Sequence, residues 1–205
     1  MFLGIAAVAL QFRIMTGLLS ATAGLSYAGA IVGFFSYFTI TTNILVVLVH
    51  AAGLLAPGKP LSFFRRPVVR AGTVVSIAVV SFVYHFLLAD LWNPQGLHRY
   101  TDLLLHYVCP AIMLVWWLGW GRDGRLRWSD ILLFLTYPLA YLAYILVRAP
   151  IAGVVPYPFL DYWTNGWWAV TQSASGIAVL FIIVGVLVVL ADRLPILVPP
   201  DRKPS

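Results

Sequence analysis

Polar side chains inside long apolar stretches are the residues of this sequence that could do chemistry. Four of them recur at spacings of three, four and seven, which places them on one face of a helix: Ser36, Thr39, Asn43 and His50. Serine and threonine in such helices usually bond back to a carbonyl one turn earlier. Asn43 on the same face favours a polar cavity or a hydrogen bond between helices. Because polar groups are costly in hydrocarbon, this face is a candidate site.

Two histidines extend this candidate site. Pro110 follows His106 by four residues and cannot donate to the His106 carbonyl, so we expect a local break in the helix at His106. His85, in the preceding apolar stretch, falls at a similar depth. One membrane histidine is more often a packing residue than a catalyst. Two at one depth, beside Thr39 and Asn43, predict a shared cavity near the outer surface.

Arginines and tyrosines supply the remaining candidates. Tyr137, Tyr141, Tyr144 and Arg148 line one face of the fifth apolar stretch. Arg148 either snorkels to the interface or binds an anionic head group or carboxylate in the same cavity as Tyr144, and both alternatives stay open. Arg13 lies near the middle of the first stretch with no acidic residue at a matching depth, so we expect it to face the bundle interior.

Transmembrane helices must position these residues. The chain has 205 residues, 61% of them hydrophobic and 10% charged, whereas soluble domains are about 45–50% apolar and about 25% charged. A span needs about 20 apolar residues. Six stretches qualify: Phe2–Thr22, Tyr27–Leu55, Val68–Ala89, Thr101–Trp120, Ser129–Arg148 and Gly166–Ala191. We predict an all-α, six-helix transmembrane bundle over residues 1–192, followed by a short cytoplasmic tail over residues 193–205.

Lys and Arg residues between the stretches predict the orientation. Ten fall in the second break, the fourth break and the tail: Lys59, Arg65, Arg66, Arg70, Arg122, Arg125, Arg127, Arg193, Arg202 and Lys203. On the opposite side lie Arg99 and Arg148. Since cytoplasmic loops are rich in Lys and Arg, we expect a multi-pass protein of the cell membrane with both termini in the cytoplasm. This asymmetry explains the formal charge of +6 better than a nucleic-acid partner does.

Metal and cofactor sites have little support in the sequence. The single cysteine, Cys109, excludes an intrachain disulfide and a multi-cysteine metal site. His85, His106, Asp90 and Asp102 could form a ligand set, but no His-x-x-x-His spacing supports it. We therefore expect no metal and no cofactor. A bis-histidine haem held by His85 and His106 stays an alternative.

Three short motifs carry a resemblance to a known family: Ser-Tyr-Phe-Thr-Ile at 36–40, Leu-His-Tyr-Val-Cys-Pro at 105–110 and Val-Pro-Tyr-Pro-Phe-Leu at 155–160. In order and spacing the sequence resembles the androgen-induced membrane hydrolases, which cleave fatty acid esters of hydroxy fatty acids. It is most similar to the bacterial six-helix relatives of that group. The loops of this chain are shorter than those of the family.

The resemblance implies a reaction and roles for two residues. Thr39 matches the family's membrane-embedded nucleophile, and His106 matches its essential histidine. A threonine hydroxyl needs a base within hydrogen-bond reach, and histidine suits that role. Asp102, one turn before His106, could orient the imidazole or simply cap the helix. Asn43 is our suggestion for an oxyanion donor.

The leading hypothesis is a membrane-embedded threonine hydrolase that acts on lipid-like fatty acyl esters, with its site in the outer half of the bundle. Five further residues are assigned to substrate binding: Asn43, His85, Arg148, Arg13 and Tyr144. The expected partners are membrane lipids or a lipid-like ester, and nucleic acid is not expected. The alternative is a non-catalytic membrane protein that binds or transports a lipid or small anion in the same cavity.

The ten-to-two asymmetry in Lys and Arg makes the orientation testable. Reporter fusions at both termini and in the loop at Arg122–Arg127 should be active on the cytoplasmic side. A fusion next to Trp163 should be active on the opposite side. A cytoplasmic position for the segment around Trp163 would contradict the proposed orientation.

Overall fold

We analysed a computed structural model of the chain, which describes residues 1–22, 24–55, 60–91 and 93–195. Every regular element in these residues is helical, so the prediction of an all-α bundle is confirmed. Lys59, Arg202 and Lys203, which entered the orientation count, lie outside the described residues. So does most of the predicted tail, because the description ends at residue 195.

In the part of the chain that the structure describes, seven helices form the bundle: α1 (Phe2–Thr22), α2 (Tyr27–Phe35), α3 (Phe38–Leu54), α4 (Pro67–Leu91), α5 (Leu97–Gly121), α6 (Asp130–Ala152) and α7 (Tyr162–Arg193). Five of them, α1 and α4 to α7, are each long and apolar enough to cross a membrane, and α2 with α3 forms a sixth, bent span. Most boundaries lie within a few residues of the prediction. The start of α5 at Leu97 brings His98 into a span.

The second span is broken where the sequence predicts one continuous helix. Helix α2 ends at Phe35, α3 begins at Phe38, and the two axes differ by 71°. Ser36 ends α2 and donates its hydroxyl to the Val32 carbonyl at 2.7 Å. The predicted face that joined Ser36 to Thr39 is therefore wrong, because the two residues belong to different helices.

Tyrosines of α6 support this break. The Tyr141 hydroxyl donates to the Ser36 carbonyl at 2.9 Å, and the Tyr144 hydroxyl lies 3.0 Å from Ser36 Oγ. Tyr137 pairs with Thr41 Oγ1 at 2.6 Å. In hydrocarbon, backbone groups freed by a break must find partners inside the protein. The aromatic stripe seen in the sequence thus stabilises the bend between α2 and α3.

Helix α5 contains a π-turn over Leu104–Val108, and its closing bond runs from the Cys109 amide to the Leu104 carbonyl. The break predicted at His106 is present. Pro110 leaves the His106 carbonyl without its helical donor, and the Ser81 hydroxyl of α4 donates to that carbonyl at 2.6 Å. A hydroxyl of the neighbouring helix thus replaces the missing amide.

Asn43 supports the same turn from α3. Because the Cys109 amide bonds to Leu104, the Leu105 carbonyl lacks its usual donor, and Asn43 Nδ2 donates to it at 3.1 Å. The same Nδ2 donates to the Thr39 carbonyl at 2.9 Å. Asn43 is 1% exposed. This amide therefore joins the helix that carries Thr39 to the helix that carries His106.

Helix α4 lies at the centre of the bundle and packs against α3, α5, α6 and α7, while α1 packs against α2, α3 and α5. Its core positions, including Val74, Val75 and Ile77, are almost fully buried against Met113 and Trp117 of α5. The first turns of α6, Asp130–Phe134, pack closely on α4 and α7. Further along, tyrosines of α6 contact α3, and Ile145 is buried in the core.

A buried carboxylate closes the other end of the bundle. Asp192, near the end of α7, accepts the amide of Leu126 at 3.0 Å and those of Asp123 and Gly124 at 3.3 Å. Arg70 of α4 forms an ion pair with Asp123 at 2.8 Å. These bonds connect the α5–α6 loop to α4 and α7, and so hold together the bundle in which the two helix breaks occur.

The two bonds from Asn43 predict a measurable effect on stability. Asn43→Leu keeps the approximate volume but leaves a buried carbonyl of α5 without a donor, which should lower the free energy of unfolding by about 1–3 kcal/mol. The control is Thr171→Val, because Thr171 is exposed and bonds within its own helix; its effect should stay within about 0.5 kcal/mol. Equal unfolding curves for both variants in micelles would contradict the bridging role.

Candidate functional site

The bend in the second span places Thr39 at the start of a helix. Thr39 is the second residue of α3, and the residue that caps this helix, Tyr37, offers no side-chain hydrogen bond. The Thr39 amide instead donates to the Tyr157 hydroxyl at 3.3 Å. A helix N-terminus carries partial positive charge and stabilises an anion placed near it. Thr39 therefore sits where negative charge on its own hydroxyl, or on a bound oxygen, is favoured.

Tyr157 reaches this helix start from the loop between α6 and α7. Its ring stacks on Phe159 at 5.2 Å between centroids and meets Tyr37 edge to face at 5.8 Å. The phenol is buried, and burial raises its pKa to about 12 even though Thr39 and the backbone of Phe38 donate hydrogen bonds to it. The phenol thus keeps its proton at physiological pH. Since its oxygen accepts from α3, its own O–H remains able to donate.

His106 is oriented by the residue one turn before it. Its Nδ1 lies 3.0 Å from the Asp102 carbonyl oxygen and 3.1 Å from Asp102 Oδ1. A carbonyl oxygen can only accept, so Nδ1 carries the proton of the neutral ring and Nε2 holds the lone pair. Tyr84 stacks on the imidazole at 3.7 Å between centroids and donates its hydroxyl to Asp102 Oδ2. The ring is thereby held between a carboxylate and an aromatic face.

Thr39 and His106 line the same cavity, which has a volume of about 320 Å³. Its walls combine apolar residues with hydrogen-bonding side chains of four helices and one loop, namely Gln11, Tyr37, Thr39, Tyr84, His98, His106 and Tyr157. Ligand sites typically combine an apolar lining with a few converging polar groups. We refer to this space as the polar cavity.

Thr39 also lines a second cavity, with a volume of about 100 Å³. Its lining is almost entirely apolar and comes mainly from α4, α6 and α7. The two cavities share four lining residues: Thr39, Tyr84, Leu88 and Tyr157. We refer to the second space as the apolar slot. Thr39 thus lines both cavities.

The structure adds polar residues that the sequence analysis did not select. Gln11 of α1 is buried, its Nε2 lies 3.1 Å from His98 Nε2, and its Oε1 accepts from Thr101. A lone amide inside an apolar helix is a signal that would have identified Gln11. Tyr157 lies inside one of the three motifs, but nothing in its local sequence shows that it inserts into the bundle. The sequence does not distinguish Tyr84 from the other aromatic residues of the membrane helices.

Asn43 does not act as predicted. Its Nδ2 bonds to the carbonyls of Thr39 and Leu105, and its side chain lines neither the polar cavity nor the apolar slot. Both amide hydrogens are thus used within the protein. The expectation that Asn43 donates to an oxyanion is therefore wrong. Asn43 instead positions α3 and α5 relative to each other.

His85 and Arg13 lie outside the cavity, contrary to expectation. His85 is exposed, and its Nδ1 pairs with the Tyr107 hydroxyl at 3.1 Å. Arg13 is exposed on α1 in a shallow groove beside Thr16 and Tyr27, although we expected it to face the interior. The sequence did not predict the direction in which either side chain points around its helix.

Tyr144 and Arg148 are committed to other contacts. Tyr144 is 43% exposed and its hydroxyl pairs with Ser36. Arg148 donates to the Val154 carbonyl at 3.4 Å, just beyond the end of α6. Neither side chain lines the polar cavity or the apolar slot. Within the described residues, no three His, Cys, Asp or Glu side chains converge in a way that could hold a metal ion.

Comparison of the chain with protein-family models, with curated proteins and with solved structures finds no match. The resemblance to the androgen-induced membrane hydrolases therefore stays a prediction that rests on three motifs. All three motifs contribute residues to the polar cavity: Tyr37 and Thr39, then Leu105 and His106, then Tyr157.

The hydrogen bond from Tyr84 to Asp102 predicts that Tyr84→Phe lowers stability more than Tyr107→Phe does. Tyr84→Phe keeps the ring against His106 but removes the donor to a buried carboxylate, so the free energy of unfolding should fall by about 1–3 kcal/mol. Tyr107→Phe is the matched control, because its hydroxyl meets the exposed His85, and it should change stability by less than about 0.5 kcal/mol. Should both variants unfold alike in the same detergent, Tyr84 would not hold Asp102.

Proposed function

We propose that this protein is a membrane-embedded hydrolase that uses Thr39 and His106 to cleave lipid-like fatty acyl esters. The observation that carries the proposal is that both residues line the same cavity, with Thr39 at a helix start and His106 Nδ1 bonded to the Asp102 carbonyl. This arrangement resembles the nucleophile, base and orienting residue of hydrolases on unrelated folds.

In the first half of the proposed reaction, Thr39 Oγ1 attacks the ester carbonyl carbon while His106 Nε2 takes the hydroxyl proton. The carbonyl electrons move onto oxygen and form a tetrahedral oxyanion. When the bond to the alcohol oxygen breaks, His106 returns the proton to that oxygen, so a neutral alcohol leaves. An acyl group then remains on Thr39 as an ester.

In the second half, a water molecule attacks the acyl carbon. His106 Nε2 takes a proton from this water, the bond from the acyl carbon to Thr39 breaks, and Thr39 recovers the proton. The sum is one ester and one water converted to one acid and one alcohol. No redox partner or metal is needed for this balance. Asp102 keeps the proton on Nδ1, so that Nε2 serves both halves.

The oxyanion would be stabilised by the start of α3 and by Tyr157. The Tyr157 oxygen already accepts the Thr39 amide, which leaves its O–H to donate to a substrate oxygen beside Thr39. Donors fixed before the reaction act strongly where water is excluded, and loss of one such donor typically costs about 10²–10³-fold in kcat. Tyr157 thus takes the role that the sequence had suggested for Asn43.

We infer that the polar cavity opens on the outer side of the cell membrane. Its rim includes the end of α4 at Leu91, the start of α5 at His98, and Pro156 and Pro158 of the α6–α7 loop. The Lys and Arg asymmetry assigns these ends to the extracytoplasmic side, with both termini in the cytoplasm. Water and a polar product could then exchange with the outer medium.

Turnover of fatty acyl esters by purified protein tests the proposal. Thr39→Ala should abolish nearly all turnover and Thr39→Ser should keep part of it, since the hydroxyl remains. His106→Ala should lose about as much as Thr39→Ala, and the double variant little more, because residues that act as one unit are not additive. Labelling with a fluorophosphonate probe should follow the same order.

The matched control is Thr136→Ala, because Thr136 is exposed and bonds to the Leu133 carbonyl of its own segment. It should leave turnover unchanged. A folded Thr39→Ala protein that hydrolyses esters as fast as wild type would place the nucleophile elsewhere. If wild type neither turns over a broad ester panel nor takes the probe, the binding or transport alternative becomes the better account of the cavity.

A further inference from the structure

We propose that the exposed side of α1 binds the phosphate group of an anionic phospholipid, in a shallow groove that runs from Arg13 to Tyr27. Thr16, Gly17 and Ser20 line the groove between these two residues. We refer to it as the α1 groove. None of its lining residues lines the polar cavity or the apolar slot, so it is a separate site. The proposal does not depend on hydrolysis.

Arg13 is an exposed cation inside a membrane-spanning helix. At a rise of about 1.5 Å per residue, it lies roughly 14 Å along the axis from the end of α1 at Thr22. Arginine stays protonated in proteins. Within the described residues, no hydrogen bond or ion pair reaches its guanidinium group. Because an unpaired charge is costly in hydrocarbon, Arg13 requires an anion.

The described part of the chain does not supply this anion. Its two contacts between a basic and an acidic side chain are Arg70 with Asp123 and His106 with Asp102. Four further aspartates form no ion pair within the described residues: Asp90, Asp130, Asp161 and Asp192. The partner of Arg13 therefore comes from outside this part of the chain.

The α1 groove offers hydrogen-bond donors beyond Arg13. Thr16 uses its hydroxyl within the helix, where it donates to the Phe12 carbonyl at 2.6 Å. The hydroxyls of Ser20 and Tyr27 form no hydrogen bond with a described residue. Helix α2 begins at Tyr27, and the start of a helix carries partial positive charge. Because phosphate oxygens accept charge-assisted hydrogen bonds, the groove matches a phosphate in charge and in donors.

The exposed face of α1 changes character at Arg13. Towards the N-terminus the same face carries Phe2, Ala6 and Ala9, which recur at spacings of three and four and are all exposed. Towards Tyr27 the face carries hydroxyl groups instead. A phospholipid has the same order, with hydrocarbon chains on one side of its phosphate. A free phosphate ion would have to give up its hydration to reach this depth, so a membrane lipid is the better occupant.

The lone charge of Arg13 also selects among lipids. A zwitterionic head group carries its own cation, whereas phosphatidylglycerol does not, so the groove should prefer the anionic lipid. In the orientation inferred above, the end of α1 at Thr22 faces the outer side of the membrane. The bound lipid therefore belongs to the outer leaflet.

The first arm of the experiment measures, by native mass spectrometry, which lipid the purified protein retains from an equimolar mixture of phosphatidylglycerol and phosphatidylcholine. Arg13→Gln should lower the ratio of retained phosphatidylglycerol to phosphatidylcholine about tenfold or more, because a charge-assisted hydrogen bond away from water is lost. Arg13→Lys should keep part of the preference, since the charge remains.

The matched control is Arg99→Gln, because Arg99 is exposed at the start of α5. The retained ratio should stay within about twofold of wild type, since salt screens an exposed charge. Equal losses in Arg13→Gln and Arg99→Gln would reduce the effect to surface charge and overturn the site. Unchanged lipid retention in Arg13→Gln would overturn it as well.

The second arm fills the α1 groove without changing Arg13. A Cβ added at Gly17 meets no atom within 4 Å, and the same holds for Gly176 of α7. Both glycines are exposed, so leucine fits at either position. Gly17→Leu should lower the retention of phosphatidylglycerol, and Gly176→Leu should not. Equal retention in the two variants would contradict a lipid in the groove.

Two further outcomes would assign the groove to another occupant. An excess of inorganic phosphate should not displace phosphatidylglycerol, and displacement would mean that the groove binds a free anion. The oligomeric state of wild type and Arg13→Gln should be the same in size-exclusion chromatography with light scattering. Loss of an oligomer in Arg13→Gln, with lipid retention unchanged, would make this face a contact between copies and reject the lipid site.

Discussion

The structure depends on one constraint: backbone groups in hydrocarbon must find hydrogen-bond partners within the protein. Among the departures from α-helical geometry, the bend between α2 and α3 and the π-turn over Leu104–Val108 free such groups next to the candidate site. Side chains from other elements satisfy them. Tyr141 bonds to the bend, Asn43 and Ser81 bond to the π-turn, and the Tyr157 hydroxyl accepts the Thr39 amide of α3.

These supporting bonds also build the candidate site. A bend in the second span gives Thr39 the positive end of a helix inside the bundle, and a π-turn bonded by Asn43 and Ser81 carries His106 into the same cavity. The core around α4 and the loop bonded to Asp192 hold the surrounding helices together.

The sequence predicts those features of the fold and of the candidate site that depend on residues close together in the chain. Six apolar stretches predict the spans, and Pro110 predicts the break at His106, because proline acts on a carbonyl four residues back. No proline predicts the bend after Phe35. The hydrogen bonds that stabilise it come from Tyr141 and Tyr144, which are distant in sequence. Side-chain direction was harder still. We expected Arg13 to face the bundle interior and His85 to line the cavity, yet both are exposed, because the rotation of a helix is set by neighbours that one sequence does not reveal.

The central claim is that Thr39 forms a covalent ester with the acyl part of its substrate. Protein mixed with a long-chain fatty acyl ester, quenched in acid within the first turnovers and digested, can be examined by mass spectrometry for a peptide carrying one acyl group. We expect the acyl mass on Thr39 in wild type and no such adduct in His106→Ala, where the base is missing. An adduct on another residue, or hydrolysis without any adduct and independent of His106, would contradict the mechanism.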